Sequence, residues 1–168
     1  NLSVRQDFSS DFSSPLVFSF DGSYSLTDNY QVKINASKNF RTPTFNDLYW
    51  QPGGNLELIP EKSYQLDFGN VLNIGAVSMQ YNGYYISTKD MIKWLPNNEG
   101  VWSPINIDDV EIYGAEAKIV ANYSLGKNQE LGIKTNYAYT VSEDKSTNEQ
   151  LIYVPFHMAN GSLEYRIA

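Results

Sequence analysis

The sequence of 168 residues contains no cysteine and only one histidine, His157. Disulfide bridges, thiolate metal ligands and cysteine nucleophiles are therefore excluded, and a single histidine leaves almost no material for a metal site or a catalytic triad. We interpret His157 as a strand-end or loop residue. No run of 18 apolar residues occurs, so no transmembrane helix is expected. We expect no catalytic residue, no metal and no cofactor.

Positive charge is also scarce. Twelve Lys and Arg residues stand against 19 Asp and Glu residues, which gives a net charge of −7, and the basic residues form no cluster in the sequence. Binding to phosphate backbones needs a positive surface, so a nucleic-acid partner is excluded. The acidic excess is a weak indication on its own, because it also serves solubility.

Alternation of apolar and polar residues dominates the chain, which is rich in aromatics with 13 Tyr, 8 Phe and 3 Trp. Between Tyr30 and Phe40 every second residue is apolar except Lys38, and the intervening residues are polar. A strand places successive side chains on opposite faces, so such a segment has one apolar and one polar face. The pattern recurs in residues 2–8, 16–26, 64–72, 77–85, 113–123, 131–141 and 159–167. It predicts an all-β fold, an antiparallel up-and-down meander of about eight strands.

The predicted connections alternate in length. Short turns are expected at 27–29, 72–73 and 126–128, and long loops at 9–14, 41–60, 95–108 and 143–155. Tight turns on one rim and long loops on the other are typical of an outer-membrane barrel. The charged residues of the strands fall mainly on the polar face, which is expected to line the lumen: Asp21, Lys33, Asp67, Glu116, Lys118, Lys134, Glu164 and Arg166. Lys38 lies on the apolar face but near a strand end, where its ammonium group can reach the headgroups.

Two neighbouring blocks carry a resemblance to a known family. The chain reads NFRTPTFNDLYW over 39–50 and GNLELIPEKS over 54–63. These blocks resemble the barrel domain of TonB-dependent receptors, in order and spacing. Segments 92–96 and 103–107 look like the next hairpin of that family, and 110–116 looks like a strand start. The family-motif residues are Phe40, Arg41, Pro43, Asn46, Leu48, Tyr49, Gly54, Asn55, Pro60 and Glu61.

Simple stereochemistry gives these motif residues structural roles. Pro43 is expected to end a strand, Thr44 to cap a single helical turn up to Tyr49, and Gly53–Gly54 to adopt backbone angles closed to other residues. Arg41 either pairs with a carboxylate or is a solvated charge at the rim.

The resemblance implies that residues 1–168 form a single partial domain of a 22-stranded transmembrane barrel. The plug domain, the segment that contacts TonB and about four later strands are expected to lie outside this sequence. The implied location is the bacterial outer membrane, with membrane lipid, the TonB complex (through the missing plug) and a small-molecule nutrient as partners. Suitable nutrients are an iron-siderophore complex, haem or cobalamin.

The long loops hold the candidate ligand-binding residues. Exposed aromatic and amide side chains are reasonable ligand anchors. The candidates are Tyr49, Trp50, Asn97, Asn98 and Trp102, and the competing interpretation is that they pack within their own loops.

Three other interpretations stay open at this stage. A complete eight-stranded barrel would serve a structural or adhesive role in the outer membrane. A soluble β-sandwich would bind glycans through Trp50 and Trp102. An enzyme or calcium site would use Asp108, Asp109 and Glu111, although a solvated turn is favoured there. An excised part of a barrel would also have open strand edges, so edge-to-edge self-association is possible.

Overall fold

The structure, a computed structural model, describes residues 1–8 and 14–167. Strands dominate it, and one short helix interrupts them. In chain order the elements are β1 (Leu2–Arg5), β2 (Val17–Thr27), β3 (Tyr30–Arg41), α1 (Phe45–Tyr49), β4 (Glu61–Ile74), β5 (Val77–Pro96), β6 (Trp102–Gly126), β7 (Gln129–Asp144), β8 (Glu149–Gln150) and β9 (His157–Ile167).

All nine strands belong to one antiparallel sheet. Neighbours in sequence are neighbours in space from β1 to β7, and β9 pairs with β7 after the two-residue strand β8 has paired with the end of β7. The predicted meander is confirmed, and β8 is the element that the sequence pattern did not predict. Among the described residues β1 and β9 do not pair with each other, so the sheet is open, and no second sheet packs on it as a β-sandwich would require.

The two rims of the sheet differ as predicted, except that the short turn expected at 72–73 lies at 75–76, because β4 continues to Ile74. The short-turn rim holds the connections β2–β3, β4–β5 and β6–β7, and the long-loop rim holds the segments around 42–60, 97–101 and 145–156. The predicted loop at 9–14 falls mostly outside the described residues.

The predicted long loop at 95–108 is wrong. β5 and β6 pair as far as Pro96 and Trp102, which leaves only a tight turn between them. The sequence suggested a loop because two prolines and a break in alternation lie there. The register itself is unbroken, because the pairs Lys89–Asp109, Met91–Ile107 and Pro96–Trp102 keep the same offset. The hairpin implied by the family resemblance is confirmed, whereas the strand start expected at 110–116 is wrong, because β6 already begins at Trp102.

The register keeps the apolar and polar residues on separate faces across the whole sheet. One row of direct partners reads Phe20, Ala36, Leu66, Tyr85, Tyr113 and Val141, and the next row, on the opposite face, reads Asp21, Asn35, Asp67, Tyr84, Gly114 and Thr140. We call the first the outward face and the second the inward face. A cavity of about 760 Å³ opens on the inward side and is lined by residues from β2 through β9, so the sheet curves around its polar face.

The outward face leaves large apolar side chains uncovered. Phe68 is 56% exposed, Leu66 50% and Tyr24 68%, whereas most of the few buried apolar residues, such as Leu58, Ile92 and Val110, lie toward the long-loop rim. An apolar surface of this extent is typical of contact with a nonaqueous medium or a partner. No helix among the described residues is long and apolar enough to cross a membrane.

Candidate functional site

The helix α1 is the first element of the candidate site, and the local sequence determines where the helix starts. Pro43 is buried and follows the end of β3. Thr44 caps the helix: its Oγ1 accepts a hydrogen bond from the backbone N–H of Asp47 at 3.2 Å, while Oδ2 of Asp47 accepts from the backbone N–H of Thr44 at 2.8 Å. This reciprocal pair satisfies two amide groups that a helix start would otherwise leave open. The predicted single turn capped by Thr44 is confirmed.

Asp47 joins the helix to the β5–β6 hairpin. Its Oδ1 accepts a hydrogen bond from the indole Nε1–H of Trp94 at 2.9 Å, and its Oδ2 lies 3.6 Å from Nη1 of Arg41. The residue is only 5% exposed. A buried carboxylate with these partners fixes the helix against β5, because removing any partner would leave a buried charge poorly satisfied.

Arg41 and Glu61 close the same site from the strand ends. They are direct cross-strand partners on β3 and β4, and the contact is bidentate: Nε to Oε1 at 2.9 Å and Nη2 to Oε2 at 3.2 Å. Glu61 Oε2 also accepts from the backbone N–H of Ile92 at 3.0 Å. Of the two interpretations of Arg41, pairing with a carboxylate is therefore confirmed. Arg41, Asp47, Glu61 and Trp94 are called the rim cluster below.

The electrostatics of the rim cluster favour the charged forms. The hydrogen bond to Glu61, together with the charges of Glu61 and Asp47, raises the pKa of Arg41 against the opposing effect of burial. Burial alone would raise the pKa of Asp47, but hydrogen bonds from Thr44 and Trp94 and the charge of Arg41 outweigh it, so that pKa lies below its ordinary value. Both groups stay ionised at neutral pH.

Two asparagines fasten the rest of the loop to the hairpin. Asn55 Nδ2 donates to the carbonyl of Pro104 at 3.0 Å. Asn106 Nδ2 donates to the carbonyls of Ile59 and Asp90 at 3.0 and 2.6 Å, and its Oδ1 accepts from the N–H of Ile59 at 3.0 Å. Asn55 belongs to the predicted motif, whereas Asn106 and Asp47 were not among the predicted site residues. Trp94 was expected to flank a ligand-facing loop, and its indole N–H instead donates to Asp47. The alternation of polar residues gives no signal for such contacts between distant segments.

Gly53 and Gly54 are needed for close approach, so the predicted reason for them is wrong. Neither has a positive φ; the glycines that do are Gly75 and Gly100. A Cβ on Gly54 would lie 2.6 Å from the carbonyl oxygen of Leu48, and one on Gly53 would overlap the carbonyl oxygen of Trp102. The loop therefore presses its backbone directly against the hairpin.

This contact brings the predicted ligand-binding residues to one end of the molecule. Tyr49, Trp50 and Trp102 are 52%, 55% and 48% exposed, and Asn97 and Asn98 are exposed as well. Asn97 has a structural role in addition, because its Oδ1 accepts from the N–H groups of Glu99 and Val101 at 2.9 and 3.0 Å and shapes the hairpin turn. Part of the loop packs on itself, since the rings of Phe45 and Tyr49 lie 4.8 Å apart.

The remaining motif residues shape or support the loop between β3 and β4. Asn46 is exposed and its carbonyl accepts from the N–H of Trp50 at 3.1 Å, which ends the helix. Leu48, Phe40 and Pro60 are half-buried.

The acidic residues considered for catalysis or calcium binding lie on β6, not in a turn, which corrects that prediction. Asp109 pairs with Lys89 at 3.7 Å, and Glu111 pairs with Lys145 at 3.4 Å and accepts from the hydroxyl of Tyr85 at 2.9 Å. The side chain of Asp108 is outside the described set. Within the described part of the chain no three His, Cys, Asp or Glu residues are grouped to hold a metal ion.

His157 is the first residue of β9, as predicted for a strand-end residue.

The negative charge of the chain is concentrated at the long-loop rim. Residues 38–62, 89–109 and 143–156 contain six basic and ten acidic residues, a net charge of −4 out of −7 for the whole chain. A surface of this sign disfavours the approach of anions and favours neutral or cationic molecules.

Comparison with known proteins adds independent findings. The family model described as TonB dependent receptor-like, beta-barrel, matches residues 1–167. The chain is 32% identical over 156 residues to the vitamin B12 transporter BtuB of Photobacterium profundum, covering 89% of this chain and 25% of that protein. It is 28% identical over 190 residues to an iron-regulated outer membrane virulence protein of Vibrio cholerae, covering 98% of this chain and 28% of the relative.

A solved structure agrees with these relatives on the fold. The copper transporter OprC superimposes with a TM-score of 0.74 at 20% identity, over 90% of this chain and 24% of that one. The chain thus spans about a quarter of the length of the proteins it matches.

Proposed function

This chain belongs to the family of TonB-dependent receptor-like β-barrels, and on that premise we propose that it is part of a receptor that imports a scarce nutrient across the bacterial outer membrane. The relative from Vibrio cholerae is named as an outer membrane protein. Residues 1–168 would form one part of a 22-stranded barrel, with a plug domain, contacted by TonB, supplied by other parts of the protein. We also infer that the chain has no enzymatic activity, since the family consists of receptors and transporters.

The observation that carries the proposal is the sorting of the two faces. The outward rows suit hydrocarbon, and the inward rows suit a water-filled or plugged lumen. A strand that crosses a bilayer in a barrel needs this arrangement, because a Lys or Arg on the lipid face at the midplane costs about 2–4 kcal/mol.

The long-loop rim supports a more specific proposal about the ligand. Tyr49, Trp50 and Trp102 offer aromatic surface, Asn97 and Asn98 offer amides, and the surrounding charge is negative. We propose a large neutral ligand of the cobalamin type, which relies on aromatic contact and amide hydrogen bonds. An anionic ferric siderophore would meet repulsion here and would need basic partners.

Ligand binding to the full-length receptor in detergent tests this proposal. We expect cyanocobalamin to bind and ferric enterobactin not to bind, and the double variant Trp50→Ala/Trp102→Ala to weaken cyanocobalamin binding by about tenfold or more, as loss of buried aromatic anchors does. Tyr165→Ala, at an exposed aromatic near the opposite rim, is the matched control. Preferential binding of the ferric siderophore, or unchanged affinity in the double variant, would contradict the proposed ligand.

A further inference from the structure

The outward face carries its strand lysines at one end only. Lys38 on β3, Lys62 on β4 and Lys89 on β5 alternate in phase with the apolar outward residues, and all three lie near the long-loop rim. At the short-turn end of the same strands the outward residues are uncharged: Tyr30, Leu72, Ile74 and Val77. We call the three lysines the outward lysine patch.

The register places these lysines next to one another. Lys62 and Lys89 are direct cross-strand partners, and Lys38 lies opposite Tyr64, two residues along β4 from Lys62. Direct partners have Cβ atoms about 5 Å apart and diagonal neighbours about 7–8 Å. Like charges directly opposite each other in a sheet are destabilising, so this arrangement calls for an anion between them.

The protein itself does not supply that anion in full. Lys89 Nζ lies 3.7 Å from Asp109, with both side chains more than half exposed, and Lys38 Nζ lies 5.6 Å from the centre of the Tyr64 ring. Neither Lys38 nor Lys62 forms an ion pair within the described residues. The other outward acids, Glu111 and Glu143, are both paired with Lys145, at 3.4 and 3.0 Å.

We propose that Lys38, Lys62 and Lys89 bind the phosphate of a lipid headgroup in the outer leaflet of the membrane. Phe18 and Tyr64 lie beside Lys38 on the same face and provide an apolar surface for the acyl chains below the phosphate. Lysine side chains at this depth keep their methylene groups in the apolar zone and their ammonium groups at the headgroups. The inference rests on the proposed outward orientation of the long loops and does not depend on nutrient uptake.

Native mass spectrometry of the full-length receptor, titrated with diphosphorylated lipid A, tests this site. The triple variant Lys38→Gln/Lys62→Gln/Lys89→Gln is compared with Lys33→Gln/Lys118→Gln/Lys134→Gln, which removes the same charge from the inward face. Each lysine near an anionic lipid surface contributes roughly a fivefold factor, so we expect the loss of three to weaken lipid A binding about 100-fold in the outward variant and little in the inward one. The outward Lys→Arg triple variant, which keeps the charge, should retain binding.

Two control titrations distinguish a lipid phosphate from free inorganic phosphate. Enzymatically dephosphorylated lipid A should bind the unmodified receptor about as weakly as lipid A binds the outward variant, and inorganic phosphate at equal concentration should not displace lipid A. Equal loss in the inward variant, undiminished binding in the outward variant, or displacement by inorganic phosphate would overturn the proposal. Cyanocobalamin binding, measured separately on the same variants, shows whether the nutrient site is intact.

Discussion

At the scale of single residues, Asp47 joins three separate segments of the chain. Its carboxylate caps α1, receives the indole N–H of Trp94 and faces Arg41. One side chain therefore connects the helix, the end of β3 and the hairpin. Such a group is costly to alter, because its loss leaves several buried polar partners unsatisfied.

The lowered pKa of Asp47 makes this connection dependent on pH. A group whose pKa is depressed by folding stabilises the folded form above its unfolded value of about 3.9, and that contribution is lost as the pH falls through the folded value. We expect the fluorescence of Trp94, measured in a Trp50→Phe/Trp102→Phe background, to change below about pH 3.9 and not above it. Asp47→Asn should abolish this transition and Asp28→Asn, in an exposed turn at the other rim, should leave it intact. A transition that persists in Asp47→Asn would show that another group controls the loop.

The sequence predicted the contacts between neighbouring residues at the start of α1, but not the contacts between distant segments. The cap of Thr44 and the stop at Pro43 depend on residues within a few positions, so propensity alone predicts them. The contacts of Asp47 with Trp94 and of Asn106 with Ile59 join segments 47 residues apart. Only the register of β3, β4 and β5 brings those residues together.

At the scale of elements, the β5–β6 hairpin supports the loop between β3 and β4. Gly53 allows that contact because a side chain there would overlap the backbone of Trp102, whereas Gly54 allows the loop to fold closely against Leu48 and Trp50 at the end of its own helix. We expect Gly53→Ala to separate the loop from the hairpin at a cost of about 1–3 kcal/mol, the usual range for overpacking. Hydrogen exchange of residues 42–60 should become faster, and cyanocobalamin binding should weaken. Gly126→Ala, where a Cβ meets nothing within 4 Å, is the control. Unchanged exchange in Gly53→Ala would show that the loop is held by the rim cluster alone.

Strand existence was predictable, and strand length was not. Alternation marked the parts of β5 and β6 whose two faces differ in polarity. After Asp90 the alternation of β5 weakens, because Met91 and Ile92, and then Trp94 and Leu95, are neighbouring apolar residues. Pro96 and Pro104 then suggested a loop although both are paired in the hairpin.

At the scale of the whole molecule, a period of 2 separates an apolar face from a polar face. The register carries that separation across all the long strands, and the loops gather acidic charge and exposed aromatic rings at one rim. The family resemblance in residues 39–63 and the face pattern were independent predictions from the same sequence, and both are confirmed. The identity of the ligand stays a proposal, because it depends on loops from the rest of the barrel as well.

The accessibility of neighbouring side chains on β4 measures this separation directly. Residues 1–168 contain no cysteine. In the full receptor, with any cysteine outside these residues replaced by serine, the single substitutions Gln65→Cys, Leu66→Cys, Asp67→Cys and Phe68→Cys can each carry a spin label. In lipid bilayers we expect labels at 66 and 68 to be relaxed mainly by oxygen dissolved in the lipid, and labels at 65 and 67 mainly by a water-soluble nickel chelate. Equal relaxation at all four positions, or the reverse order, would contradict the assignment of one face to lipid and the other to water.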